Sequence, residues 1–163
     1  MRSTWEHWAA AKDGRLRFRN CGVFGQRTDE SAARLDACTQ GADVLIVQGG
    51  INDIAQGRSI YDAESNLRAM VQEGKRLGVR VAIADVLPWN NAYPAAKPRI
   101  AELNAAIHRL ARAEHVTLLP FYATLDDPDR PGFMRKDWTA EGNHPSIAGY
   151  RRLGELAFRL PAA

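Results

Sequence analysis

Val44-Leu45-Ile46-Val47, followed by Gln48-Gly49-Gly50-Ile51-Asn52-Asp53, is the stretch on which the fold turns. Four consecutive apolar, mostly β-branched residues lie between Gly41 and Gly49-Gly50. This is the pattern of a short strand covered on both faces, the usual condition in parallel sheets. The polar pair Asn52-Asp53 then falls at the strand's carboxyl end, where open α/β sheets place their ligands.

Moving outward, similar units repeat. Toward the C-terminus, Tyr61 to Leu77 reads as a helix with Leu67, Met70, Val71 and Leu77 on one stripe, stopped by Gly78. Val79 to Val86 is the next strand, closed by Pro88. Ile100, Leu103, Ile107 and Leu110 mark another helix, and Val116 to Leu119 a strand closed by Pro120. A last helix, Ile147 to Leu160, is expected to turn Ile147, Tyr150, Leu153, Ala157 and Leu160 inward.

Toward the N-terminus, Ser3-Thr4-Trp5-Glu6 is a capping-box pattern opening a helix from Ser3 to Ala11. Leu16 and Phe18 alternate with Arg15, Arg17 and Arg19, which predicts a half-buried strand running into Asn20-Cys21-Gly22-Val23-Phe24-Gly25. Thr28 to Cys38 reads as one helix with Ser31, Leu35 and Cys38 on one side. Phe121 to Pro145, with Pro128, Pro131, Gly132 and Gly142, reads as a long irregular loop of the kind that often carries function. Strands alternating with helices predict an α/β fold, three-layered α/β/α around a parallel sheet. The Gly25 loop, the Gly50 to Asp53 loop and the Phe121 to Pro145 loop are expected along one edge of it.

A chain of 163 residues is the size of one domain, here residues 1–163. Its 45% hydrophobic and 25% charged residues exclude disordered and fibrous classes. The net charge of +3 comes from arginines scattered over every predicted helix, without the basic stripe that nucleic acid requires. No apolar run reaches the roughly 20 residues of a membrane span. Cys21 and Cys38 read most plainly as two small half-buried thiols; a disulfide is the alternative, which spacing does not decide.

His144, in Glu141-Gly142-Asn143-His144-Pro145, is suited to general base work because imidazole titrates near neutral pH. Its plainer alternative is a surface histidine capping the last helix. Glu141, three residues earlier, is placed to hold the imidazole in one tautomer, with Asp137 as the other candidate. The Asn52 side-chain amide and the Gly25 backbone N–H are candidate donors to an oxyanion, although Asn and Asp are also ordinary turn residues. The loop Leu87-Pro88-Trp89-Asn90-Asn91-Ala92-Tyr93-Pro94 offers Trp89 and Tyr93 as a substrate wall. Phe121-Tyr122 with Phe133-Met134 offers a second, and packed loop aromatics are the alternative for both.

Three of these segments together resemble a known family. Asn20 to Gly25 is similar to the second conserved block of the SGNH (GDSL-type) hydrolases, Gly50-Ile51-Asn52-Asp53 to the third, and Glu141 to Pro145 to the fifth, all in the family order. The resemblance implies a serine ester hydrolase acting on a small-molecule ester through an acyl-serine intermediate, with no metal or organic cofactor. It makes Gly25 and Asn52 the oxyanion donors, His144 the base and Glu141 the orienting acid, in a position where the family usually has aspartate. It further implies a flavodoxin-like sheet of order 2-1-3-4-5.

The first block, Gly-Asp-Ser, has no counterpart among the 163 residues. Ser3, Ser59 and Ser146 read as helix caps and Ser31 as core-facing, so the nucleophile is unassigned. Trp5 resembles the tryptophan that follows the family's first block, which places the expected serine and first strand just before Met1. Loss of that interior strand would leave buried backbone groups unpaired at about 1 to 3 kcal/mol each. The chain is therefore expected to fold poorly, repack or exchange strands into an oligomer. A non-catalytic flavodoxin-like binding module is the rival reading, and localisation is left open between cytoplasm and secretion.

Overall fold

The computed structural model describes residues 4–162, so the part of Ser3 in the expected capping box lies outside the described residues. The elements run α1 (Trp5–Lys12), α2 (Thr28–Ala32), α3 (Leu35–Thr39), β1 (Val44–Val47), α4 (Ile51–Ala55), α5 (Ile60–Arg76) and β2 (Arg80–Ala84). They continue with α6 (Ala96–Ala113), β3 (Thr117–Leu119), α7 (Phe121–Leu125), β4 (Asp126–Asp127), β5 (Arg130–Met134) and α8 (Ile147–Arg152). The chain divides into two compact units: Met1–Arg19, Leu87–Lys97 and Pro120–Phe158 form the first, and Asn20–Val86, Pro98–Leu119 and Arg159–Ala163 the second.

The second unit holds the sheet that the Val44 stretch predicts. Its order is β1-β2-β3, all parallel, with Val44 opposite Arg80, Val47 opposite Ile83, and Ala84 opposite Leu119. β2, the central strand, has Val81 to Ala84 buried, whereas β1 has only Val47 fully covered. Among the described residues β1 is paired on one side only. Ser59 caps α5 by accepting from the Asp62 N–H, as its sequence position suggests. The helix turns Ala63, Leu67, Met70, Val71 and Gly74 inward. Gly74 permits this packing, since a Cβ there would come within 2.8 Å of both Leu45 and Val81. Leu77, expected on the same stripe, is 39% exposed because it is the C-cap residue, beyond the last turn. In α6, Ile100, Leu103, Ile107 and Leu110 are buried, matching their helical spacing.

The segment from Thr28 to Cys38 is two short helices instead of one. The chain leaves helical geometry at Arg34 (φ −111°, ψ 5°), whose guanidinium donates to the Cys21 carbonyl at 2.9 Å and to Gln26 Oε1 at 2.6 Å. A tertiary contact therefore wins over local periodicity. Cys21 and Cys38 are joined as a disulfide with Cα atoms 6.0 Å apart, which replaces the reading of two thiols.

In the first unit, α1 buries Trp5 against Phe18, Phe121 and Phe158, with ring centroids 5.4, 5.4 and 5.3 Å away. This aromatic cluster also accounts for the missing strand at Leu16 to Phe18. The predicted alternation survives, with the arginines exposed and Leu16 and Phe18 partly covered, but rings hold the segment in place of a ladder. Phe121 to Pro145 is more ordered than expected. It forms α7, the antiparallel β4–β5 hairpin and a 3-10 turn, Lys136–Trp138.

The last helix ends early. After α8 the backbone widens into a π-helical turn, Leu153–Ala157, and the Phe158 N–H closes on the Leu153 carbonyl. This change of phase buries Phe158, leaves Leu160 45% exposed and ends the expected inward stripe; Ile147, at the helix start, is 58% exposed.

Candidate active site

The His144 loop is built from its own backbone. Thr139 and Pro145 form an isolated antiparallel bridge, the Ala140 N–H donates to the His144 carbonyl at 2.9 Å, and Thr139 Oγ1 donates to the same carbonyl at 3.0 Å. Inside this closure Gly142 adopts φ +105°, a left-handed conformation that favours glycine. The Gly142 N–H donates to Thr139 Oγ1 at 2.9 Å. Ser146 then caps α8 by accepting from the Gly149 N–H, and Gly149 sits so close to the Trp138 carbonyl and Pro145 that a side chain there would collide.

The result fixes one face of the imidazole. His144 Nδ1 is hydrogen-bonded to Glu141 Oε1, with both side chains about half exposed (54% and 51%). Asp137, the other candidate partner, lies instead 3.9 Å from the Arg135 guanidinium, with its carbonyl accepting from Ser146 Oγ. Occupying Nδ1 leaves Nε2 as the basic nitrogen, which is the arrangement a general base requires.

Gly25 and Asn52 belong to the second unit. Gly25 is exposed with φ +76°, and its neighbours Val23 and Phe24 stand in solvent at 52% and 95% exposure. Gly50, at φ +110°, is the N-cap of α4, so Asn52 lies in the first turn of a short helix instead of a loop. A Cβ at Gly50 would fall 2.5 Å from Leu103 Cδ2, a second reason for glycine. Three side chains of α4 and its C-cap fasten the Gly25 segment. Asn52 Nδ2 donates to the Gln26 carbonyl at 2.8 Å, and Gln56 Nε2 donates to the Gly25 carbonyl at 3.2 Å. The buried Asp53 carboxylate accepts from the Thr28 N–H at 3.0 Å and from Thr28 Oγ1 at 2.7 Å. An amide nitrogen has two hydrogens, so one N–H of Asn52 is held while the second is directed by that anchor. Sequence reading found Asn52 but not Asp53 or Gln56; their signal was position i+1 and i+4 after it.

The proposed walls differ. Trp89 and Tyr93 meet edge to face at 6.0 Å, with Trp89 half-buried and Tyr93 38% exposed. Phe121 and Met134 are fully buried and therefore line no surface, which removes them from the second wall. A second histidine pair, passed over in the sequence, joins His108 Nε2 to the buried Asp85 carboxylate at 2.8 Å. Among the described residues, no group of three or more His, Cys, Asp or Glu side chains is arranged to hold a metal ion, and no helix is long and apolar enough to cross a membrane.

The model of the GDSL-like lipase/acylhydrolase family matches residues 2–152. The chain belongs to that family. Membership places this GDSL protein among the esterases and acylhydrolases. Esterase TesA of Pseudomonas aeruginosa is 26% identical to it, over 93% of this chain and 76% of TesA. Solved structures carry the same fold. A lipolytic protein of the G-D-S-L family from Desulfitobacterium hafniense DCB-2 superposes with a TM-score of 0.83 at 21% identity, covering 94% of this chain and 85% of its own. A GDSL-like lipase from Bacteroides thetaiotaomicron gives 0.81 at 20% identity, over 93% and 78%. The α/β fold with a parallel, flavodoxin-like sheet is thus the architecture of this GDSL protein as well.

Proposed function

We propose that the protein hydrolyses small-molecule carboxylic esters through an acyl-serine intermediate, with His144 as general base, Glu141 orienting it, and Asn52 and the Gly25 backbone N–H holding the oxyanion. The observation that carries this reading is the Glu141–His144 hydrogen bond inside a closed loop. With Nδ1 engaged by the carboxylate, Nε2 is the nitrogen left for proton transfer.

In the first step the serine oxygen bonds to the ester carbonyl carbon while its proton passes to His144 Nε2. The carbonyl oxygen becomes an oxyanion, where the second Asn52 N–H and the Gly25 N–H donate. Collapse breaks the carbon–oxygen bond to the alcohol, which leaves with the proton from His144. Water then repeats the sequence on the acyl-enzyme and restores the serine. The 163 residues contain no Gly-Asp-Ser triplet, so none of their serines is assigned as the nucleophile. Ser59 and Ser146 are engaged as caps, and Ser31 Oγ donates to the Arg27 carbonyl. The ring faces of Trp89 and Tyr93 are the proposed wall for the acyl or alcohol portion.

The test is turnover of a p-nitrophenyl ester by the protein, compared with its His144→Ala variant. Near-complete loss is expected, and unchanged turnover would remove His144 from its role. The absence of the triplet favours a second reading, a non-catalytic binding module. Fluorophosphonate labelling separates the two: covalent labelling of a serine supports the hydrolase, and no labelling together with no ester turnover supports the module.

A further inference from the structure

The turn Trp89-Asn90-Asn91 makes more contacts with the His144 loop than a substrate wall needs. Asn90 acts at two levels. Its side chain closes two hydrogen bonds on the backbone of Met134, accepting from the N–H at 2.6 Å and donating to the carbonyl at 2.8 Å, as a neighbouring strand would at the end of β5. Its own backbone N–H donates to the Gly142 carbonyl at 2.6 Å. The turn is thereby fixed between β5 and the loop that carries Glu141 and His144.

Asn91 completes the arrangement. Its Nδ2 donates to the Glu141 carbonyl at 3.1 Å, and its Oδ1 accepts from the Trp89 indole N–H at 2.9 Å. An amide side chain can flip, and the indole donor removes that freedom by demanding an acceptor on its side, which directs Nδ2 to Glu141. The amide also packs against Gly142, where an added Cβ would stand 3.0 Å from Asn91 Cγ and Oδ1. Glycine at 142 is therefore required both by its positive φ and by the approach of Asn91.

We propose that Asn91, oriented by the Trp89 indole N–H and carried on a turn anchored by Asn90, is a positioning residue for the Glu141–His144 pair. The physical need is clear from exposure. Glu141 and His144 are both about half open to water, which competes for the carboxylate and the imidazole alike. Holding the backbone of Glu141 and Gly142 from outside the loop limits the positions from which the carboxylate reaches Nδ1. Misplacement by about 1 Å far from the chemistry can cost about 10²-fold in rate.

This inference rests on the proposed role of His144, and a spectroscopic test separates the two. In the 163-residue chain, long-range proton–nitrogen correlation spectra report which imidazole nitrogen of His144 bears the proton when the ring is neutral. The wild-type chain is expected to show the Nδ1–H tautomer, with Glu141→Gln as the reference for its disturbance. Asn91→Ala and Trp89→Phe are expected to shift His144 toward a mixture of tautomers without a change in Tm, since Asn91 is exposed and the phenyl ring keeps most of the indole's packing. Asn91→Ala should also lower kcat for a p-nitrophenyl ester by about tenfold with KM unchanged, the signature of an interaction lost in the transition state only. A wild-type Nδ1–H tautomer that persists in both variants would overturn the positioning role and leave the role of Glu141 standing. A wild-type chain without that tautomer would overturn the orientation by Glu141, and this inference with it. A Trp89→Phe chain that keeps the Nδ1–H tautomer of His144 while KM rises would assign the indole to substrate contact alone and overturn its part here.

Discussion

Among the described residues two histidine–carboxylate pairs lie one in each compact unit, and they differ in what surrounds them. His108 Nε2 meets Asp85 just past the end of β2, where the carboxylate is 3% exposed and its backbone N–H continues the ladder to the Leu119 carbonyl. His144 meets Glu141 in a loop, with both side chains about half exposed and a left-handed glycine between them. The first pair is built into a sheet and a core helix, so it adds to stability by giving a buried polar group a hydrogen-bond partner. The second contributes little to the core and keeps an imidazole nitrogen accessible. A histidine–carboxylate contact therefore carries no meaning by itself; burial and backbone surroundings are what set the two pairs apart.

That contrast is open to direct attack. The largest effect is expected from His144→Ala, which should cut ester turnover by about 10⁴- to 10⁶-fold, as in triad enzymes acting as a unit, with stability changed by less than about 0.5 kcal/mol. Steady-state kinetics beside urea denaturation read both quantities. Next, Asn52→Ala should lower turnover by about 10²- to 10³-fold; an effect confined to KM would count against an oxyanion role. Reduction of the Cys21–Cys38 bond should lower stability by about 3 kcal/mol, the chain-entropy value for a ring of this length, seen as a lower denaturation midpoint in dithiothreitol. The smallest effect belongs to His108→Ala. Leaving Asp85 short of one partner should cost about 1 to 3 kcal/mol while turnover stays within a few-fold of wild type. Loss of turnover in His108→Ala at full stability would reverse the assignment of the two pairs.

Much of the second unit was legible because its signals are local. The Val44 to Val47 run, the helical stripes around Leu67 and Leu103, and the prolines after the strands each act within a few residues, and they give the parallel sheet directly. What escaped depends on partners distant in sequence. Arg34 breaks a helix by reaching Cys21 and Gln26, the rings around Trp5 hold Phe18 without a ladder, and Asn90 and Asn91 act on Met134, Glu141 and Gly142, 44 to 52 residues away. The same limit applies to the site. His144, Glu141, Asn52 and Gly25 stand in recognisable short blocks, but Asp53 and Asn91 show their use only when their hydrogen-bond partners are seen.

The disulfide also alters how the chain would respond to being cut. Cys21 and Cys38 close a covalent ring that contains Val23 and Phe24, the latter 95% exposed and well suited to the hydrophobic slot of chymotrypsin. A cut after Phe24 would not release the N-terminal piece, which stays tethered through Cys21 to Cys38. The nicked protein would run at full mass until a reductant separates its two fragments, so cleavage at the Gly25 segment would be visible on a reducing gel and invisible on a non-reducing one.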